Sequence, residues 1–172
     1  MNDYEQFLMI ENPGVAPEEA FTVLGASTTR TAGADYIGQF GTGNKHGLAL
    51  SLRNNISPVI FCDKLKMTFS TKVTQVEDGI SSSEFRNIFV KYSGSKGGKT
   101  KNNTDKLGFV MEYGATNWPS IDFALREFIS NAIDHTMKFN RHHSNDVIYP
   151  WDGAEVKIVD KKSVRAKAGK TR

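Results

Sequence analysis

PSIDFALREFISNAIDHTMKF (residues 119–139) sets Ile121, Leu125, Phe128, Ile129, Ala132 and Ile133 at helical spacing, an apolar stripe that has to be buried against another layer. Ser120 is placed to cap the start of such a helix, and Asp122 is favourable in its first turn. Beside the stripe stand Glu127, Asn131 and Asp134, four and then three residues apart, which aligns them along the helix surface. A carboxylate can orient or deprotonate a water, and an amide oxygen can ligate a magnesium ion that bridges phosphates. The pair therefore suits phosphoryl chemistry. The same spacing also occurs in an ordinary amphipathic helix with a solvated face.

The helix needs a sheet to cover, and the sequence supplies one. In LKMTFSTKV (65–73), Leu65, Met67, Phe69, Thr71 and Val73 share one face while Lys66, Thr68, Ser70 and Lys72 share the other, the period of a half-buried strand. YEQFLMI (4–10), PVIFC (58–62), FRNIFVKY (85–92), LGFVMEY (107–113) and EVKIVD (155–160) read as further strands. EEAFTVL (18–24), ended by Gly25, and HGLALSLRN (46–54) read as helices. SGSKGGKTKNNT (93–104) is too polar and glycine-rich to bury and is expected to be a mobile connection. Together these elements predict an α+β two-layer sandwich, a mixed or antiparallel sheet with helices on one face. No internal repeat is present.

Length and composition agree with a single domain. The chain has 172 residues, 38% hydrophobic and 24% charged, enough for one core and too few for two. No run reaches the roughly 18–20 apolar residues of a membrane helix, and MNDYEQFL lacks a secretory pattern; a soluble, cytoplasmic protein without membrane contact is expected. Cys62, the lone cysteine, reads as a small buried hydrophobe. Residues 1–160 form the expected domain. KKSVRAKAGKTR (161–172) holds six of the 22 basic residues and no acidic one. It is a solvated end, a nucleic-acid contact, or the start of a further strand.

A second chemical signal is IGQFGTGNKHG (37–47), whose Gly38, Gly41, Gly43 and Gly47 let the backbone approach something closely. With a helix starting near His46, phosphate is the natural ligand. It is not a Walker A loop, because Asn44 separates Gly43 from Lys45 and His46 follows; GSKGGKT (94–100) also misses that pattern, one residue short between its outer glycines. His46, His135, His142 and His143 have no zinc spacing and are expected in surface or capping roles, with Trp118 and Trp151 as packing residues.

These segments resemble the GHKL superfamily of ATP-binding domains, which includes DNA gyrase B subunits, ninety-kilodalton heat-shock chaperones, sensor histidine kinases and MutL mismatch-repair proteins. REFISNAIDH (126–135) is similar to that family's N box. The resemblance makes Glu127 the general base and Asn131 the magnesium ligand, with Asp134 beside the nucleotide. IGQFGTG (37–43) resembles the second glycine box, implying nucleotide contacts from Gly38, Gly41, Thr42 and Gly43 and from the adjoining Asn44 and Lys45. MIENPGVAPEEAFTVLGASTTR (9–30) resembles the first glycine box and the start of a mobile lid, which implicates Gly14, Thr28 and Thr29. The family's adenine-binding Asp is missing. Asn12 fits its frame and can still accept a hydrogen bond; Glu11 is its acidic neighbour.

In the family the N box precedes both glycine boxes, whereas here it follows them by some 80 residues. A circular permutation restores the order: the chain is cut in the loop before the strand that leads into the first glycine box, and the old ends are joined. The resemblance then implies a permuted fold that binds ATP with magnesium, hydrolyses it slowly, and uses lid closure to control a protein partner that the sequence does not name. The alternatives are a nucleotide-binding regulator without hydrolysis and a nucleic-acid-binding module working through the basic tail.

Overall fold

The computed structural model describes residues 6–26, 42–77, 82–116, 118–142, 154–167 and 169–172. In chain order they form β1 (Gln6–Pro13), α1 (Glu19–Thr22), α2 (Gly43–Arg53), β2 (Val59–Cys62), β3 (Lys64–Glu77), β4 (Ser82–Lys96), β5 (Lys99–Lys101), β6 (Thr104–Val110), α3 (Ile121–His142), β7 (Glu155–Asp160), a 3-10 turn at Lys161–Ser163, and β8 (Lys170–Thr171). Among the described residues the architecture is α+β, with an antiparallel eight-stranded sheet and three helices. The strands run in the order β5-β4-β3-β2-β8-β1-β7, and β6 also pairs with β4.

The alternation of β3 decides where the core lies. Leu65, Met67 and Phe69 are buried, while Lys64, Lys66 and Ser70 on the alternate face are exposed. Leu48 and Ala49 of α2 join Ile60, Leu65, Met67, Ile88 and Val90 in one apolar cluster, where each large side chain contributes about 1.5–3 kcal/mol by leaving water. The parity continues beyond Phe69, but the burial does not: Thr71 is exposed and Val73 is 56% exposed. Residues 71–77 pair with 82–88, and along this stretch β3 is exposed on both faces. Periodicity fixes which face a residue shares; burial also requires a partner layer over that face.

The connection expected to be mobile is a hairpin. Lys96 pairs with Lys99 across Gly97 and Gly98, whose φ angles are 55° and 78°. A two-residue turn of this kind needs left-handed backbone at both central positions, which two glycines supply without strain. The polar composition is tolerated because β5 and β6 follow one edge of β4, where Asn103 O accepts from Tyr92 N at 2.9 Å.

β8 lies between β1 and β2, with Thr171 opposite both Asn12 and Cys62. Arg172 exchanges backbone hydrogen bonds with Phe61, 2.8 and 2.9 Å long. Two of the basic residues here are drawn in from solvent: Lys170 and Arg172 ion-pair with the carboxylate of Glu11, which also has the exposed Lys167 at 3.8 Å. Of the readings open for residues 161–172, the further strand is the one seen, at Lys170–Thr171, and it joins the β1-β7 pair to the rest of the sheet.

Candidate functional site

α3 packs against α2 and β1, and its contact with α2 depends on two glycines one turn apart. A Cβ at Gly47 would sit 3.1 Å from Phe128 Cζ, and one at Gly43 would overlap the Glu127 carboxylate. The close approach read from the glycine-rich segment is therefore, at Gly43 and Gly47, the approach of one helix to the next. Gly43→Ala is expected to raise helix propensity while pushing the Glu127 carboxylate aside. The expected result is a melting temperature within a few degrees of wild type with a large loss of any activity that uses Glu127. Unchanged activity would remove functional meaning from this contact.

The same helix pair carries a relay of amides. Asn44 Nδ2 donates to Ala20 O at 3.4 Å, which presents Asn44 Oδ1 to Asn131 Nδ2 at 3.1 Å; Asn131 Nδ2 also donates to Glu127 O at 2.7 Å. Both acceptors engage the Asn131 nitrogen, so its Oδ1 has no hydrogen-bond partner among the described residues. An oxygen oriented in this way is a fit ligand for a hard cation. Thr42 precedes α2, and its carbonyl accepts from the amides of Lys45 and His46 at 3.0 Å.

A cavity of about 530 Å³ lies beside this relay, lined among others by Ile10 and Asn12 of β1, Asn44 of α2, and Leu125, Asn131 and His135 of α3. That volume is in the range of small-molecule sites. Asn12 Nδ2 donates to Pro13 O at 2.9 Å, and His135 Nδ1 lies 3.1 Å from Asn12 Nδ2 and 3.3 Å from Pro13 O, accepting from the first or donating to the second according to its tautomer. Burial holds His135 below the usual histidine range, and the neighbouring charges of Lys138 and Lys96 act in the same direction against the hydrogen bond to Pro13. Asn12 Oδ1 has no partner among the described residues.

The other expected residues distribute unevenly. Glu11, buried and ion-paired to Lys170 and Arg172, does not line the cavity. Gly14, at φ 77°, turns the chain beneath His135 and Phe139. Lys45 is fully buried, donates to Ala26 O at 3.1 Å, and is pushed down to about 8 by desolvation; it does not line the cavity, and neither do Thr42, Gly43, Glu127 and Asp134. Asp134 is buried in α3. Thr28, Thr29, Gly38 and Gly41 lie outside the described residues, as do His143 and Trp151.

Two histidines depart from the surface or capping roles expected of them. His46 stacks on Tyr113 with centroids 4.4 Å apart and meets Trp118 at 4.9 Å. His135 is a buried wall of the cavity; its place four residues after Asn131, on the same side of the helix, was the available signal. Thr171 was also missed: its hydroxyl accepts from Ala16 N at 2.7 Å and donates to Gly14 O at 3.3 Å. Comparisons with protein-family models, curated proteins and solved structures find no match.

Proposed function

We propose that this domain binds ATP with magnesium between β1 and α3 and hydrolyses it slowly, on a circularly permuted GHKL fold. The observation that carries the reading is the amide relay, which commits the Asn131 nitrogen to Asn44 and Glu127 and leaves its oxygen available beside a cavity of nucleotide size. Asn131 would hold magnesium, which supplies charge neutralisation at the phosphates. The start of α2, at Gly43 and Asn44, offers amides to phosphate. Asn12 Oδ1 is an acceptor for the adenine amino group, and Glu127, against Gly43, is the general base.

The permutation has its own support. Joining the old ends and cutting before β1 requires the end of β7 to lie next to the start of β1. Asp160 and Gln6 are directly opposite each other, and the two strands pair antiparallel, as the arms of a cut hairpin would. α3, β7 and β1 then follow in the family's order of N-box helix, strand, strand, glycine box.

Millimolar magnesium ATP is expected to raise the melting temperature by about 5–11 °C at a hundredfold excess over Kd, because ligand bound only by the native state adds about 2.7 kcal/mol. An unchanged melting temperature would sink the reading. Stabilisation without phosphate release would leave a nucleotide-binding regulator.

A further inference from the structure

The β3, β4 and β6 strands have two faces of opposite character. Cross-strand partners share a face, and the register sets Lys66 opposite Ser93, Thr68 opposite Lys91, Lys72 opposite Asn87, and Phe89 opposite both Ser70 and Lys106. Lys64, Lys66, Lys72, Lys91 and Lys106 therefore project from one side of the sheet, and all are exposed. None of them has an ion-pair partner among the described residues. The other residues sharing this face along the three strands are Ser, Thr, Asn, Gly, Val and Phe, with no carboxylate. The opposite side carries Leu65, Met67, Phe69, Ile88 and Val90 of the core.

Like charges held on one surface repel, and nothing in the fold requires them there, so the face is complementary to an anion with repeated charges. Lysines two residues apart on a strand are separated by ~7 Å and neighbouring strands by ~5 Å, which lets a linear polyanion cross several strands. Aromatic rings lie among the cations. Phe89 is half-buried with Lys72 Nζ 5.1 Å from its centroid, and Phe85, opposite Thr74, is 38% exposed. A three-stranded surface is too broad for a duplex groove, which admits a helix or a two-stranded ribbon. Rings on an open sheet instead stack on unpaired bases.

We propose that the outer face of β3, β4 and β6 binds single-stranded nucleic acid, with phosphates on the lysines and bases against Phe85 and Phe89. This site is separate from the nucleotide cavity and does not depend on it. It also differs from the basic tail, where Lys167, Lys170 and Arg172 surround Glu11.

The test is fluorescence anisotropy with labelled 20-nucleotide single-stranded RNA and DNA, without ATP, over a salt series. Wild type is expected to bind with a salt slope that falls by about 0.7 for each of these lysines changed to Ala. The combined Lys66→Glu, Lys91→Glu and Lys106→Glu variant is expected to lose at least ~100-fold in affinity while keeping its circular dichroism and melting temperature, since these side chains point into solvent. Phe85→Ala is expected to lose at least ~5-fold. Absence of wild-type binding, or full binding by the triple lysine variant, overturns the proposal. So does loss of binding in Lys161→Gln, Lys162→Gln, Arg165→Gln with the triple lysine variant unaffected, which would put the site on the tail. Binding to phosphatidylglycerol vesicles with none to the oligonucleotides would identify a lipid surface instead and also overturn it.

Discussion

Glu11→Ala is expected to lower the unfolding free energy by about 3 kcal/mol at neutral pH, and the melting temperature by about 6–12 °C. The Glu11 carboxylate is 2% exposed and holds Lys170 and Arg172, which frame β8. Removing it leaves two partly buried cations without their counter-charge and loosens the strand between β1 and β2. The estimate is at the low end for breaking a buried pair because both cations keep some contact with water. Burial alone would raise the Glu11 carboxyl, but hydrogen bonds and charge from Lys170 and Arg172 outweigh it and hold it below the usual carboxylate range. A depressed carboxyl stabilises the fold above its unfolded value, and that contribution disappears as pH falls through the folded one. The gap between wild type and Glu11→Ala in urea unfolding is therefore expected to narrow in acid. A gap under about 0.5 kcal/mol at pH 7 would refute the role given to this ion pair. Deleting residues 169–172 is expected to cost more, since it also removes the backbone pairing of Phe61 with Arg172.

For Glu127→Ala the expected loss of ATP turnover is about 10²–10⁴-fold with nucleotide still bound, because a general base acts in the transition state. Asn131→Ala is expected to weaken binding at least ~10-fold in magnesium and little in its absence, since a metal ligand also stabilises the bound ground state. Binding by calorimetry with and without magnesium, and turnover by phosphate release, separate the two. Equal losses for Asn131→Ala with and without magnesium would show that its bonds to Asn44 and Glu127 are scaffolding only. Turnover by Glu127→Ala at the wild-type rate would strip the carboxylate of its role.

Strand parity and helical period were legible because they are local. The burial of Leu65, Met67 and Phe69 and the helix over residues 121–139, which continues to His142, follow from them directly. Parity also bears on a choice the motif comparison left open. Glu11 and Asn12 are consecutive in β1 and must face opposite ways; Asn12 meets His135 of α3, and Glu11 meets the β8 cations. What was not legible depends on residues far apart in sequence. The cations near residue 170 look solvated until they are placed against a carboxylate 161 residues away from Arg172. Gly43 and Gly47 announce a close approach without naming α3 as the neighbour. The two central glycines of the KGGK hairpin carry its turn chemistry, but the polar composition around them is that of an unpaired loop as well.

The position of β8 has a kinetic consequence. Its partners Asn12 and Cys62 belong to segments far from it in sequence, so it adds to the sheet only when distant parts of the chain have met. Loop-closure entropy rises slowly with length, so the separation costs little in final stability, but topology of this kind slows folding. With β8 undocked, β1 and β2 would each expose an unpaired edge, the kind of surface that pairs with other copies. The two-residue strand is also the easiest seam to reopen. Amide exchange at Phe61 and Arg172 is expected to be faster than at Met67 or Val90, through a local opening that leaves the β3-β4 core closed.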